Sequence, residues 1–208
     1  MNSNYQILET GITAQRNLVF LCGISSEINQ TLVIGVFHGD EYQGEPLIDR
    51  YMEEHDKEGV LFIPCLNPDG RDLKTRTNSN GVDLNRNFPT RNWEKTEKDS
   101  YFGGETPGSE AETRFLVDVI NKYQPKSIIT LHTPYKIVNY DGPAKELAEM
   151  ISEIIKYPVE ESIGYPTPGS FGTYAGIERN IPTITLEMDE EETIDNLYVP
   201  IKEIFDNL

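Results

Sequence analysis

The sequence predicts an α/β fold: a single domain over residues 1–208, built on a mixed, mostly parallel central sheet flanked by helices. Three observations predict it. Short apolar runs rich in β-branched residues recur as TLVIGVF, VLFIPC, SIITL and PTITLEM, and such runs suit strands covered on both faces. Between them lie stretches whose apolar residues fall at helical spacing. The length of 208 residues suits one domain with a large core and demands no second.

Each element follows in order. Residues 5–23 hold polar turns and the apolar run Leu18 to Cys22, expected as early strands at one sheet edge. Thr31 to Phe37 reads as a buried strand that runs out at His38. Leu47, Ile48, Tyr51 and Met52 then mark a helix, with Pro46 tolerable in its first turn and Gly59 as its stop. Val60 to Cys65 is the next strand, and it empties into a loop from Leu66 to about Gly108. A loop that long in a compact domain is usually functional. Ser109 and Glu112 form a capping-box pattern ahead of a helix that buries Phe115, Leu116, Val119 and Ile120. SIITL follows, ending at His132. Pro143 to Tyr157 reads as an amphipathic helix through Leu147, Ile151, Ile154 and Ile155. A Gly- and Pro-rich loop then leads through GSFGTYAG to PTITLEM, and a last helix carries Leu197, Ile201 and Ile204, loosened by Pro200.

The formal net charge of −17 argues against a nucleic-acid or anionic-membrane partner, since phosphate binding needs a basic face. No apolar run is long enough to span a bilayer. The opening MNSNYQILETG has neither a basic start nor an apolar core, so no secretion signal and a cytoplasmic location are expected. Cys22 and Cys65 stand in apolar strand contexts and read as two buried free thiols.

The chemistry concentrates at strand ends. His38 closes one strand and Glu41 follows three residues later on a strand-to-helix turn, so both side chains can swing toward one cation. His132 closes another strand. Two histidines and a carboxylate leave a coordination position open, the pattern of catalytic rather than structural zinc. Glu187 closes the strand PTITLE at the same sheet edge, where a carboxylate beside a metal suits a general base. His55, near the polar end of a helix, reads as a surface residue, and Asp189 to Glu192 as a solvated helix start. In the long loop, TRTNSNGVDLNRNFP sets Asn85 and Arg86 beside apolar Leu84 and Phe88. A guanidinium fixed in that way can clasp a carboxylate bidentately.

The blocks FHGDE, LNPDG, NGVDLNRNFP with the nearby Asn92-Trp93, TPGSEAET and GYPTPGSFGTYAG together resemble the zinc carboxypeptidases of the M14 class. Within that class they are similar to the bacterial amidases that cut γ-D-glutamyl-meso-diaminopimelate. The resemblance extends from about residue 31 over nearly the whole remaining chain. It implies zinc on His38, Glu41 and His132, with Glu187 as base and later proton donor. Arg76 would polarise the scissile carbonyl, and Asn85 with Arg86 would hold the carboxylate beside the scissile amide. Tyr165, with Tyr174 as a second candidate, would stand where a tyrosine closes over substrate. The implied activity is zinc-dependent hydrolysis of the γ-D-glutamyl-diaminopimelate amide of murein tripeptide in cell-wall peptide recycling. A related metallocarboxypeptidase or N-acyl amino acid deacylase is the alternative, and a muropeptide-binding module without turnover a third reading.

Overall fold

The computed structural model describes residues 4–161 and 164–208. Its strands are β1 (Gln6–Ile12), β2 (Leu18–Gly23), β3 (Thr31–Ile34), β4 (Val60–Ile63), β5 (Ser127–His132), β6 (Ile137–Asp141), β7 (Val159–Glu160) and β8 (Thr183–Glu187). The helices are α1 (Gly44–Glu54), α2 (Pro68–Leu73), α3 (Ala111–Tyr123), α4 (Lys145–Ile155) and α5 (Ile194–Asp206). The strands form one sheet in the order β1-β2-β4-β3-β5-β8-β6-β7. A parallel block, β4-β3-β5-β8, fills its middle, and β2 and β6 join that block antiparallel on either side. The expected mixed α/β sheet is what the chain builds.

The sheet has two covered faces. On one, Leu47, Ile48, Ala148, Ile151, Ile201 and Ile204 bring α1, α4 and α5 onto Val33, Phe62 and Ile129. On the other, Leu116, Val119 and Ile120 of α3 pack with Leu32, Ile34 and Ile128. The strands β3 to β5 are therefore apolar on both faces over most of their length, which is why their sequence runs show no alternation. From β3 the chain crosses by α1 to β4 on one side, and from β4 it crosses by α3 to β5 on the other side of β3. At the carboxyl ends of the neighbouring strands β3 and β5 the chain therefore departs in opposite directions, from β3 toward β4 and from β5 toward β6. Such a switch point leaves a crevice in open α/β sheets.

Several boundaries differ from expectation for physical reasons. The strand expected over Thr31 to Phe37 leaves its ladder after Ile34, because Val36 takes a left-handed φ of 53°. Its neighbours stay tied to the following chain, with Leu66 N–H donating to Gly35 and Asn67 N–H to Val36. Helix α1 ends before His55, so Gly59 serves the turn into β4 instead of stopping the helix. The long loop contains α2, capped where Asn67 Oδ1 accepts from Gly70 N–H at 2.9 Å with Pro68 at its start. The capping box at Ser109 does not form. Glu110 is the residue before the first turn of α3, and Ser109 Oγ donates to Glu110 Oε1. Helix α4 is shorter than the 143–157 expected, and GSFGTYAG ends in a wide helical turn, Gly172–Ile177. Strands β6 and β7 escape the sequence pattern because one is IVNYD, half polar, and the other only two residues long. Cys22 and Cys65 are free and buried, as expected.

Glu112 shows where the long loop is anchored. Its side chain is buried beside Glu110, and Asn78 Nδ2 donates to Glu110 Oε2 at 2.8 Å and reaches Glu112 Oε1 at 3.5 Å. Burial, with repulsion from Glu110 behind it, pushes the Glu112 carboxyl from its ordinary 4.5 up to about 7. The folded state thus holds this proton more tightly than the unfolded chain does. Its cost to stability is absent below the unfolded value and complete above the folded one. Glu112→Gln is therefore expected to be more stable than the parent at pH 8 by about 2 kcal/mol, with the gain vanishing near pH 4.5. Denaturant titrations at both pH values check this, and an equal gain at both would show that the charge is not the cause.

Candidate active site

The crevice is a cleft lined by His38, Glu41, Arg76, Asn85, Arg86, Tyr101, His132, Asp141, Tyr165 and Glu187 among others. All eight residues singled out for metal, base and clamp roles, Tyr165 included, lie on it.

His38 stands just past β3, and Glu41 sits on the turn that leads to α1. This turn is pressed against α2. A Cβ at Gly39 would lie 1.9 Å from the carbonyl carbon of Gly70, so HGDE and NPDG can dock only where both turns present bare backbone. The parallel register of β3 and β5 then brings His132 alongside. His38 Nδ1 and His132 Nδ1 each lie 2.8 Å from an oxygen of the Glu41 carboxylate, one on Oε1 and the other on Oε2. The three side chains offer ligand atoms that all lie within 4.8 Å of one another. Phe37 stacks on His132 with ring centroids 5.4 Å apart, which fixes the imidazole plane.

Asp83 supports the set from behind. It is fully buried, and its Oδ1 lies 3.1 Å from His38 Nε2 while accepting Asn85 N–H at 2.8 Å. Arg76 Nε donates to its other oxygen at 3.0 Å, and Arg76 Nη1 also reaches Glu41 at 3.4 Å. With Asp83 on Nε2, His38 turns Nδ1 toward Glu41 and could offer that atom to a metal. Burial alone would lower the pKa of His38, but Glu41 and Asp83 outweigh it and hold the imidazole well above its ordinary value. For His132 burial dominates, and the value falls. Glu41 is penalised by burial yet held far below the usual carboxylate range by His38 and His132.

Glu187 ends β8 directly opposite His132 in the strand register. It is buried, its Oε2 has no hydrogen-bond partner among the described residues, and burial with repulsion from Glu41 pushes its carboxyl up to about 8. A buried carboxyl of that kind, beside a metal-ligand set, is suited to exchange a proton near neutral pH.

Arg86 follows Leu84 and precedes Phe88, both fully buried, so its backbone is pinned by the core, and its Nη1 donates to Asn85 O at 2.7 Å. Asn85 Oδ1 accepts Phe171 N–H at 2.8 Å, tying this turn to the GSFGTYAG segment. Tyr165 is 44% exposed and stands at the cleft mouth. Tyr174 is a correction. It is buried under the cleft against Phe88, with the Arg179 guanidinium 3.3 Å from its ring centroid, and cannot close over a ligand. His55 is not among the residues that line the cleft and packs on Tyr51.

The sequence reading passed over Asp83 and Tyr101. Asp83 had a signal, an acid enclosed by Val82 and Leu84 that the fold must bury with partners. Tyr101 lies under the guanidinium groups of Arg76 and Arg86, 4.9 and 5.8 Å from its ring centroid, but it comes from a polar loop segment with no periodicity to reveal it.

Comparison with known proteins agrees with this geometry. The family profile described as zinc carboxypeptidase matches residues 25–146. Murein peptide amidase A of Escherichia coli strain K12 is 38% identical over 137 residues, which cover 60% of this chain and 56% of that protein. The namesake from Vibrio campbellii is 36% identical over 139 residues, covering 61% and 55%. The matched stretch thus spans little more than half the length of these relatives. Among solved structures, the murein-tripeptide amidase of Escherichia coli O157 superposes with a TM-score of 0.86 at 28% identity, covering all of this chain and 92% of the other. The carboxypeptidase A of Helicoverpa armigera shares the fold, with a TM-score of 0.77 at 14% identity over 98% of this chain and 68% of the other. The chain belongs to the zinc carboxypeptidase family, peptidase M14.

Proposed function

We propose that this chain is a zinc-dependent amidase that hydrolyses the γ-D-glutamyl-meso-diaminopimelate bond of murein tripeptide and releases diaminopimelate. The observation that carries the reading is the polar lining of the cleft that also holds the metal-ligand set, contributed by Asn139, Asp141, Glu161, Thr167, Ser170 and Thr185. An apolar C-terminal residue, the alternative leaving group for a carboxypeptidase of this fold, would find little apolar surface there. The relatives named murein peptide amidase A support the same choice.

His38, Glu41 and His132 fit zinc by donor type, by convergence and by the open position that two imidazoles and one carboxylate leave. When bound, zinc would supply Lewis acidity toward a water and the scissile carbonyl. The chain's own groups account for the rest. Glu187, whose carboxyl the charge of a bound zinc would bring back to its ionised form near neutral pH, takes a proton from the attacking water and returns it to the departing amine. Arg76, oriented by Asp83, places positive charge where the carbonyl oxygen becomes an oxyanion. Asn85 and Arg86 hold the carboxylate beside the scissile amide. Tyr165 covers the bound peptide at the mouth.

At pH 7 the metal-free set holds His38 as imidazolium and Glu187 as the neutral acid, because both pKa values are raised, with His132 neutral and Glu41 ionised. Zinc binding is therefore expected to release at least one proton per ion, from His38 and from the neighbouring Glu187. Calorimetry at pH 7 in buffers of different ionisation enthalpy reads this directly, and zero release would contradict the charge assignment.

Incubation of zinc-loaded protein with L-Ala-γ-D-Glu-meso-diaminopimelate is expected to yield free diaminopimelate. Glu187→Gln should lower turnover at least ~10³-fold while keeping one zinc per chain, and Arg86→Ala should raise KM by about 30-fold or more. Cleavage of a peptide with an apolar C-terminal residue, or of an N-acyl amino acid, without cleavage of the tripeptide would refute the substrate assignment and leave the hydrolase reading standing.

A further inference from the structure

The inference concerns Tyr101 and rests on the amidase reading above. Tyr101 belongs to no strand or helix, yet its backbone is tied to the turn that carries Arg86. Its N–H donates to Asp99 Oδ1 at 2.7 Å, and the next residue, Phe102, is buried and accepts Asp83 N–H at 2.8 Å. Gly103 O accepts from Asn87 Nδ2 at 2.8 Å. A Cβ at Gly103 would lie 2.5 Å from Arg86 O, so the segment can press on the Arg86 turn only with bare backbone there. The Tyr101 ring is thus carried by the same framework as the carboxylate clamp, and it lines the cleft with 46% of the residue exposed.

The two guanidinium groups that meet this ring are held unequally. Arg76 is oriented without it, by Asp83 at 3.0 Å and Glu41 at 3.4 Å. Arg86 pairs with no carboxylate among the described residues, and its Nη1 donates to a neutral acceptor, Asn85 O. Asp83 attracts it only from farther off. What else the Arg86 guanidinium meets is the Tyr101 ring, whose centroid lies 5.8 Å from its central carbon, against 4.9 Å for Arg76. The negative face of an aromatic ring attracts a cation by about 0.5–2 kcal/mol, more where water is excluded. Arg86 is buried, so the contact falls toward the stronger end. A ring shared by two like charges also offsets part of their mutual repulsion while no substrate carboxylate is present.

We propose that Tyr101 is a positioning residue for Arg86: its ring holds the guanidinium of the clamp ready for the substrate carboxylate, and so serves binding and not the chemical step. Loss of the ring leaves Arg76 fixed by its two carboxylates and frees Arg86 alone, which places the effect in KM. Both contacts are to the ring, so phenylalanine keeps them and a branched aliphatic side chain does not.

Two readouts test this. In proton–nitrogen correlation spectra of the free protein, the Nε–H signal of Arg86 is expected to carry a ring-current shift that Tyr101→Leu abolishes and Tyr101→Phe keeps. With zinc-loaded protein and L-Ala-γ-D-Glu-meso-diaminopimelate, Tyr101→Leu should raise KM about 5- to 10-fold with kcat within about twofold of the parent. Tyr101→Phe should keep KM within about twofold, and in an Arg86→Ala background Tyr101→Leu should add less than about twofold to KM. Zinc content and the circular dichroism spectrum verify that each variant is folded, and the phenylalanine variant and the double substitution keep the comparison open if the leucine variant is not. A leucine variant with the parent's KM, a fall in kcat at unchanged KM, a phenylalanine variant as impaired as the leucine one, or an undiminished effect without Arg86 overturns the inference and leaves the amidase reading intact. A parent that does not cut the tripeptide overturns the amidase reading, and the Arg86 signal then decides by itself: a shift indifferent to Tyr101→Leu overturns the positioning role as well.

Discussion

The carboxylate of Glu41, held between His38 and His132, is the contact on which the site depends. It joins the end of β3, which the chain leaves by α1 on one face of the sheet, to the end of β5, which the chain enters after α3 on the other face. Neither histidine could be placed by its own loop. The register of β3 on β5, the bare backbone at Gly39 against Gly70, and the Asp83 carboxylate behind His38 fix the geometry together. Placing three such polar groups in a nearly dry site is expensive, and it is tolerated because each is satisfied by the others.

The charges are distributed against the overall composition. A chain with a formal net charge of −17 gathers Arg76 and Arg86 on one cleft, where Tyr101 backs both and Asp83 orients one. Local placement decides what such a site attracts, and the sum over the surface does not. The same logic explains Glu187, which burial and Glu41 keep far more basic than a surface glutamate.

Much of this was legible in the sequence because the chemistry sits where periodicity ends. His38, His132 and Glu187 each close an apolar run, so the strand pattern that predicts the sheet also points to the side chains that meet in the cleft. Arg86 was legible as a cation enclosed by Leu84 and Phe88. The remainder depends on contacts between segments distant in sequence. The capping pattern at Ser109 was a local rule overridden by the tertiary bonds of Ser109, Glu110 and Asn78. The strand β6 carries Asp141, yet it gives only a weak signal because its cleft-facing positions are polar by necessity. Tyr174 stood in a segment that suggested a lid, whereas the helical turn over Gly172–Ile177 rotates its ring into the core.

The pairing of His132 with Glu187 across β5 and β8 has a consequence for how such a protein can change over time. Neighbouring strands keep a spacing of about 4.8 Å whatever their loops do. The distance between His132 and Glu187 is thus inherited with the sheet, whereas Asp141, Tyr101 and Tyr165 stand on strand tips and loops that can be rewritten. On the proposed roles, reactivity and selectivity would occupy separately mutable parts of the chain, and loops could drift toward new leaving groups while the sheet keeps its spacing.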